Sequence, residues 1–162
     1  MKIVIIGYGA VGSVLTKLLL KEKSVEKIYC LDIKFFEKIN NNRVIFKQFN
    51  LLEKKKLIDY LKEIKPDVVI NTSLPKFNIN IMECCLNAKV NYLDTASYWD
   101  LDKNPKAKVP YKMEQLDYNK SFTENNIIGL IESGVAPGLD NIFGAETASY
   151  FVEVDYIKMR MV

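Results

Sequence analysis

The chain has 162 residues, 49% hydrophobic and 27% charged, with a formal net charge of +3. This length suits one domain, or one domain and the start of another. The 23 basic and 20 acidic side chains are interspersed, which gives little reason to expect a nucleic-acid binder. No apolar run approaches the roughly 20 residues needed to cross a bilayer, and the N-terminus lacks a secretory h-region. Three cysteines, two of them adjacent, form no disulfide framework. The absence of histidine excludes imidazole zinc sites and Ser-His or Cys-His catalysis. These features predict a reduced, soluble, cytoplasmic protein with no metal site and no nucleic-acid or membrane partner.

The elements alternate in type, which predicts an α/β fold, a Rossmann-type doubly wound parallel sheet. Lys2 to Ile6 is an apolar run suited to a strand buried on both faces. From Ala10 to Lys21 the apolar positions Val11, Val14, Leu15, Leu18 and Leu19 make a helical stripe. Strands follow at Lys27 to Leu31, ending at Asp32, and at Val44 to Phe49. Leu57, Ile58, Leu61 and Ile64 space out a helix that stops before Pro66. Asp67 to Ile70 is the fourth strand, Ile81, Met82, Cys85 and Ala88 mark a helix, and Asn91 to Leu93 is the fifth strand. A polar loop with Pro105 and Pro110 leads to a predicted helix from Tyr111 to Glu124, then a sixth strand at Ile127 to Ile131. A helix is expected from about Leu139 to Tyr150. Residues 154–162 alternate in polarity and predict a half-buried terminal strand that begins a second, substrate domain. The predicted division is therefore 1–150, a dinucleotide-binding domain, and 151–162, the start of a substrate or dimerisation domain. The ending reads as a truncation, or as an edge completed by another chain.

The strongest motif is Gly7-Tyr8-Gly9-Ala10-Val11-Gly12, set between a buried strand and an amphipathic helix in a unit that ends with Asp32. Gly7 permits the tight turn, Gly9 lets a pyrophosphate approach, and Gly12 lets the helix pack on the strand. The helix N-terminus offers N–H groups and partial positive charge to phosphates. Asp32 is placed to accept the adenosine ribose hydroxyls, which favours NAD over NADP. Its alternative is to cap the following turn, and Lys34 leaves NADP open. Asn50 is a candidate adenine contact or simply a turn former. Strand ends in such a sheet line the ligand, so Asn71, Thr72 and Ser73 should border the nicotinamide ribose. The Asp94-Thr95-Ala96-Ser97-Tyr98 and Glu132-to-Gly138 loops, including Pro137 and Gly138, should converge with the Asn71-to-Pro75 stretch on the place of hydride transfer. Cys84 and Cys85 read as buried structural thiols, and Lys54, Lys55 and Lys56 as a solvated helix face.

Gly7-x-Gly9-x-x-Gly12, Asn91-Tyr92-Leu93-Asp94-Thr95-Ala96-Ser97-Tyr98 and Ser133-Gly134-Val135-Ala136-Pro137-Gly138-Leu139 together resemble the saccharopine dehydrogenase-like family. Carboxynorspermidine dehydrogenases and homospermidine synthases are among its relatives, and Tyr111-Lys112-Met113-Glu114-Gln115 with Phe122 is similar to the carboxynorspermidine branch. The resemblance implies an NAD(P)-dependent oxidoreductase acting on CH–NH bonds, with a small-molecule amine and carbonyl as substrates. It implies a homo-oligomer, a dimer, and a second domain inserted after a strand like 154–162. Many relatives carry aspartate directly before the Pro-Gly, where this chain has Ala136. In that frame Tyr98 is the candidate to hydrogen-bond substrate or relay a proton, or else a packing aromatic. Asp94 is the second catalytic candidate, orienting the loop. The contrasting reading is a non-catalytic nucleotide-sensing regulatory domain, which shares the fingerprint and Asp32.

Overall fold

The computed structural model describes residues 1–34, 39–97, 113–136 and 138–159. Six parallel strands form one sheet in the order β3-β2-β1-β4-β5-β6, comprising β1 Lys2–Ile6, β2 Lys27–Asp32, β3 Val44–Gln48, β4 Val68–Asn71, β5 Asn91–Asp94 and β6 Gly129–Leu130. Strand order reverses between β1 and β4, whose registers pair Ile3 with Val68 and Ile6 with Asn71. A crevice opens at such a reversal, outside the carboxyl ends of the strands.

Successive side chains on a strand face opposite ways, and β1 buries both sets. Val4 and Ile6 join Leu31, Val69 and Tyr92 in a core with Leu57 and Leu61 of α2 (Lys54–Ile64), Ile81, Met82 and Cys85 of α3 (Asn78–Ala88), and Phe122 of α4 (Asn119–Glu124). Ile3 and Ile5 join Ile28, Cys30 and Ile70 under Leu15 and Leu19 of α1 (Ala10–Leu19). Helices thus cover both faces, as a parallel sheet requires. α2 ends at Lys65, which takes up a left-handed conformation before Pro66. α5 spans Leu139–Ala148.

Several elements differ from the sequence expectation. Val11, Val14 and Leu18 of the α1 stripe are exposed, whereas Gly12 and Thr16 are the buried residues of that helix. The close approach at Gly12 centres the buried face on small residues, with Leu15 and Leu19 flanking it. The expected helix over 111–124 resolves, in its described part, into a 3₁₀ turn, Glu114–Tyr118, followed by the short α4. Its weak apolar stripe explains this, because the turn buries an amide, Gln115, and exposes Leu116. The sixth strand shortens to two residues and ends where Glu132 turns left-handed, at φ +58°. The terminal strand does not form in the described residues 154–159, which lie in neither helix nor strand. A period-2 pattern defines a strand only when a neighbour supplies the hydrogen-bonding ladder, and among the described residues none pairs with this segment.

Leu61 is fully buried in the α2–α3 core, so Leu61→Ala should cost about 2–5 kcal/mol. Leu18→Ala, on the exposed side of α1, should stay within about 0.5 kcal/mol. Urea unfolding of the two variants measures both; similar losses would place Leu18 in a core rather than at the surface.

Candidate functional site

The β1–α1 turn is squeezed between β4 and its own helix. Gly7 has φ +91°, and a Cβ there would stand 2.7 Å from the backbone nitrogen of Ser73. A Cβ on Gly12 would stand 2.1 Å from the Gly7 carbonyl oxygen. The same carbonyl accepts a 2.6 Å hydrogen bond from the Thr72 hydroxyl. Two glycines are therefore dictated by backbone contact. Gly9 is different: its Cβ would meet no atom within 4 Å. The open side of Gly9 is the N-terminus of α1, where no side chain caps the helix and no acidic residue occupies the first turn. Uncapped N–H groups at a helix start favour an anion.

Asp32 ends β2 beside this turn. One carboxylate oxygen accepts the Tyr8 N–H at 2.7 Å and the other the Lys34 N–H at 2.9 Å. Each oxygen retains acceptor capacity for a hydroxyl. Asp32 thus caps the Lys34 turn and also lines the crevice. The Tyr8 ring turns inward, edge-on to Phe46 at 4.8 Å, and its backbone N–H is the group that Asp32 holds.

A cleft of about 420 Å³ lies over the strand reversal. Gly7, Gly9, Asp32, Asn50, Thr72 and Ser73, all singled out in the sequence, line it. Asn50 also makes the turn expected of a loop asparagine, its side-chain oxygen accepting the Leu52 N–H at 3.1 Å. Leu74, which belongs to the strand-end stretch singled out in the sequence, joins Leu51 and Phe77, which were not singled out, in the apolar wall. The signal for Leu51 and Phe77 was their place in the segments that follow β3 and β4. Ala10, Val11 and Gly12 do not line the cleft; Val11 instead faces outward with Val14 and Leu18. Tyr98 and Pro137 lie outside the described residues.

Asn71 sits behind the cleft wall. It is 1% exposed, and its side-chain oxygen accepts from the N–H (3.0 Å) and hydroxyl (2.6 Å) of Ser73. Asp94 is also 1% exposed. One of its oxygens accepts the Glu132 N–H at 2.8 Å, and the other accepts the Tyr92 hydroxyl at 2.9 Å and the Gln115 amide at 2.7 Å. Burial pushes its carboxyl above the usual carboxylate range, opposed by those three donors. A carboxylate so enclosed has no open face toward a substrate, and its geometry is that of an anchor. Its backbone carbonyl also accepts the Ser133 N–H at 2.9 Å. Gly138, at φ +137°, closes the same loop, where a Cβ would stand 2.3 Å from the Gly134 carbonyl oxygen.

The thiols take no part in this site. Burial pushes Cys30 and Cys84 up to about 11 and Cys85 well above its ordinary value, so all three are protonated and weakly nucleophilic near neutrality. Lys54 pairs with Glu83 at 2.6 Å on the outer helix surface. Among the described residues no group of three His, Cys, Asp or Glu side chains is arranged to hold a metal, and no helix is long and apolar enough to cross a membrane.

Residues 3–130 match the family described as the saccharopine dehydrogenase NADP binding domain. The chain is similar to carboxynorspermidine synthase of Vibrio alginolyticus, with 39% identity over 103 residues, 62% of this chain and 25% of that protein. It is similar also to carboxyaminopropylagmatine dehydrogenase of Synechocystis sp., at 30% identity over 96% of this chain and 40% of that protein. Among solved structures, apo saccharopine dehydrogenase (L-Glu forming) of Saccharomyces cerevisiae shares the fold, with a TM-score of 0.66 over 92% of this chain and 31% of that one, at 14% identity. The chain spans a quarter to two fifths of the length of the two sequence relatives. With the family match running from β1 through β6, over the glycine turn, Asp32 and the cleft between them, this chain belongs to the saccharopine dehydrogenase family as its nicotinamide-coenzyme-binding domain.

Proposed function

We propose that the chain is the coenzyme-binding part of an oxidoreductase acting on CH–NH bonds, which reduces an imine formed from a polyamine-type amine and a carbonyl compound, or runs the reverse. The observation that carries this reading is the cleft at the strand reversal, with open space at Gly9 and a carboxylate at Asp32. The family match and the polyamine-related names of the two relatives support it.

The residues present fit a dinucleotide. The first turn of α1 would hold the pyrophosphate through its N–H groups, Asp32 the adenosine ribose, and Thr72 and Ser73 the second ribose. Bound coenzyme supplies a hydride to the imine carbon, while the nitrogen takes a proton. The protein's share is to hold the two reacting carbons together and to keep the β4, β5 and β6 loops around them. Tyr98, just beyond the described end of the β5 loop, is the proposed group for the proton at nitrogen. Asp94 acts on that loop from beneath, as a positioning residue.

For the coenzyme we propose NAD(H), although the family's description names NADP. The Asp32 carboxylate would repel a 2′-phosphate. The recess beside it, bounded by Tyr8, Lys34, Phe46 and Gln48, measures about 20 Å³ and holds about one water.

Asp32→Ser should weaken NADH binding roughly tenfold or more, as loss of charge-assisted bonds to the ribose implies, and should narrow the preference over NADPH. Isothermal calorimetry with both coenzymes reads this; unchanged NADH affinity would remove the ribose role. The glycines separate fold from ligand. Gly9→Val should melt as the parent does, because open space receives the side chain, yet lose NADH binding by more than about tenfold. Gly12→Ala should destabilise the fold itself by about 1–3 kcal/mol or more. The activity is tested by following NADH oxidation with a diamine and an amino-acid aldehyde, and a protein that binds coenzyme but reduces no imine would refute the assigned reaction.

A further inference from the structure

A continuous buried chain of hydrogen bonds runs beneath the cleft, from the β4 loop to the β6 loop. It starts at Ser73, whose hydroxyl and N–H both donate to the Asn71 side-chain oxygen. The Asn71 amide nitrogen donates to Asn78 at 2.8 Å and lies 3.4 Å from the Tyr92 hydroxyl. That hydroxyl donates to Asp94, and Asp94 in turn holds the N–H of Glu132. Two branches tie in the β5 loop, since the Asn78 amide donates to the Ala96 carbonyl at 2.7 Å and Gln115 reaches both Asp94 and that carbonyl. Asn71, Asn78, Tyr92, Asp94 and Gln115 are each buried to within 2% of full enclosure.

Five buried polar side chains are costly unless all are satisfied, and a satisfied network fixes a single geometry. Burial alone would favour apolar residues here, as it does elsewhere in the same sheet. What this network adds is connection. Its ends are a residue that lines the cleft, Ser73, and a residue held in the sparsely populated left-handed region, Glu132. Backbone strain of that kind persists only where surrounding structure enforces it, and the enforcing contact is the Asp94 carboxylate. The Tyr92 hydroxyl is the direct joint between the half anchored on Ser73 and the half anchored on Glu132, beside a longer route through Asn78, the Ala96 carbonyl and Gln115.

We infer that Tyr92 is a positioning residue for the nicotinamide end of the coenzyme, its hydroxyl joining Asn71 to Asp94 so that the β4 and β6 loops keep a fixed separation. The inference rests on the coenzyme site proposed above and adds to it a division of labour. The glycine turn and Asp32 bind the adenosine diphosphate half, and the buried relay shapes only the half where hydride moves.

Tyr92→Phe removes one oxygen and keeps the ring that packs near Phe122, at 6.5 Å between centroids. The variant is compared with the parent for binding NADH and ADP-ribose, which lacks nicotinamide. NADH binding should weaken about three- to tenfold while ADP-ribose binding is unchanged, the size being that of one buried hydrogen bond. Equal weakening of both, or of neither, would overturn the inference, because a merely structural hydroxyl would not distinguish the two ligands. Should Tyr92→Phe melt below the assay temperature, Asp94→Asn serves instead. It keeps the side-chain shape but presents a donor to the Tyr92 hydroxyl, and the same selective loss is expected. A parent protein that binds neither ligand would refute the coenzyme site itself, and the inference with it.

Discussion

The structure turns on how closely three backbone segments meet at the end of β1. The Gly7 carbonyl is shared between the Thr72 hydroxyl and the space that a Cβ on Gly12 would fill, and Gly7 itself lies against the Ser73 backbone. No larger residue fits at either glycine without moving a strand or a helix. That crowding sets the direction of α1, and so aims its uncapped N-terminus over the strand reversal. It also places the Tyr8 N–H where Asp32 can accept it, which ties the end of β2 to the same turn. The two groups suited to a dinucleotide, a field for phosphate and an acceptor for ribose, are thus consequences of one packing constraint.

The other side of the cleft is organised by a different kind of interaction. Among the described residues, Leu74 after β4 and Val135, Leu139 and Ile142 after β6 are exposed. A buried polar network takes the place of a core there. Hydrophobic contact is non-directional and tolerates small shifts, whereas hydrogen bonds weaken steeply as they bend. A site that must align two reacting carbons gains from the second kind of restraint, and a site that grips a diphosphate has less need of it. The division between glycine packing and polar relay follows that difference in demand.

Legibility in the sequence tracks how local each constraint is. The β1 strand, the three glycines and Asp32 lie within the first 32 residues and obey backbone rules that act over a few positions, so their roles were readable. The doubly wound topology was readable because buried parallel strands leave continuous apolar runs. Periodicity gave α1 an apolar stripe but could not say which part of it meets the sheet, since that depends on the approach at Gly12. Gln115 was noted only within the Tyr111-to-Gln115 resemblance and without a role, because a single amide in a weak helical stretch acquires meaning only when a distant strand brings Asp94 within 2.7 Å. The expected strand over 154–162 shows the opposite limit, in that alternation records a preference that pairing must complete. Leu51 and Phe77 were overlooked because an apolar residue after a strand reads as core until the cleft beside it is seen.

Asp94 makes the energetic case for a specific rather than a merely stable arrangement. An enclosed carboxylate carries a desolvation penalty large enough to raise its protonation range despite three hydrogen-bond donors. A neutral amide at the same place would avoid that penalty. It would also offer one acceptor oxygen where the network uses two, and would set its amide nitrogen against the donors of Gln115 or Tyr92. Only an ionised carboxylate accepts from a backbone N–H on one side and from two side chains on the other. The carboxyl group thus serves the network through its two acceptor oxygens, one of which holds the Glu132 N–H and with it the start of the β6 loop.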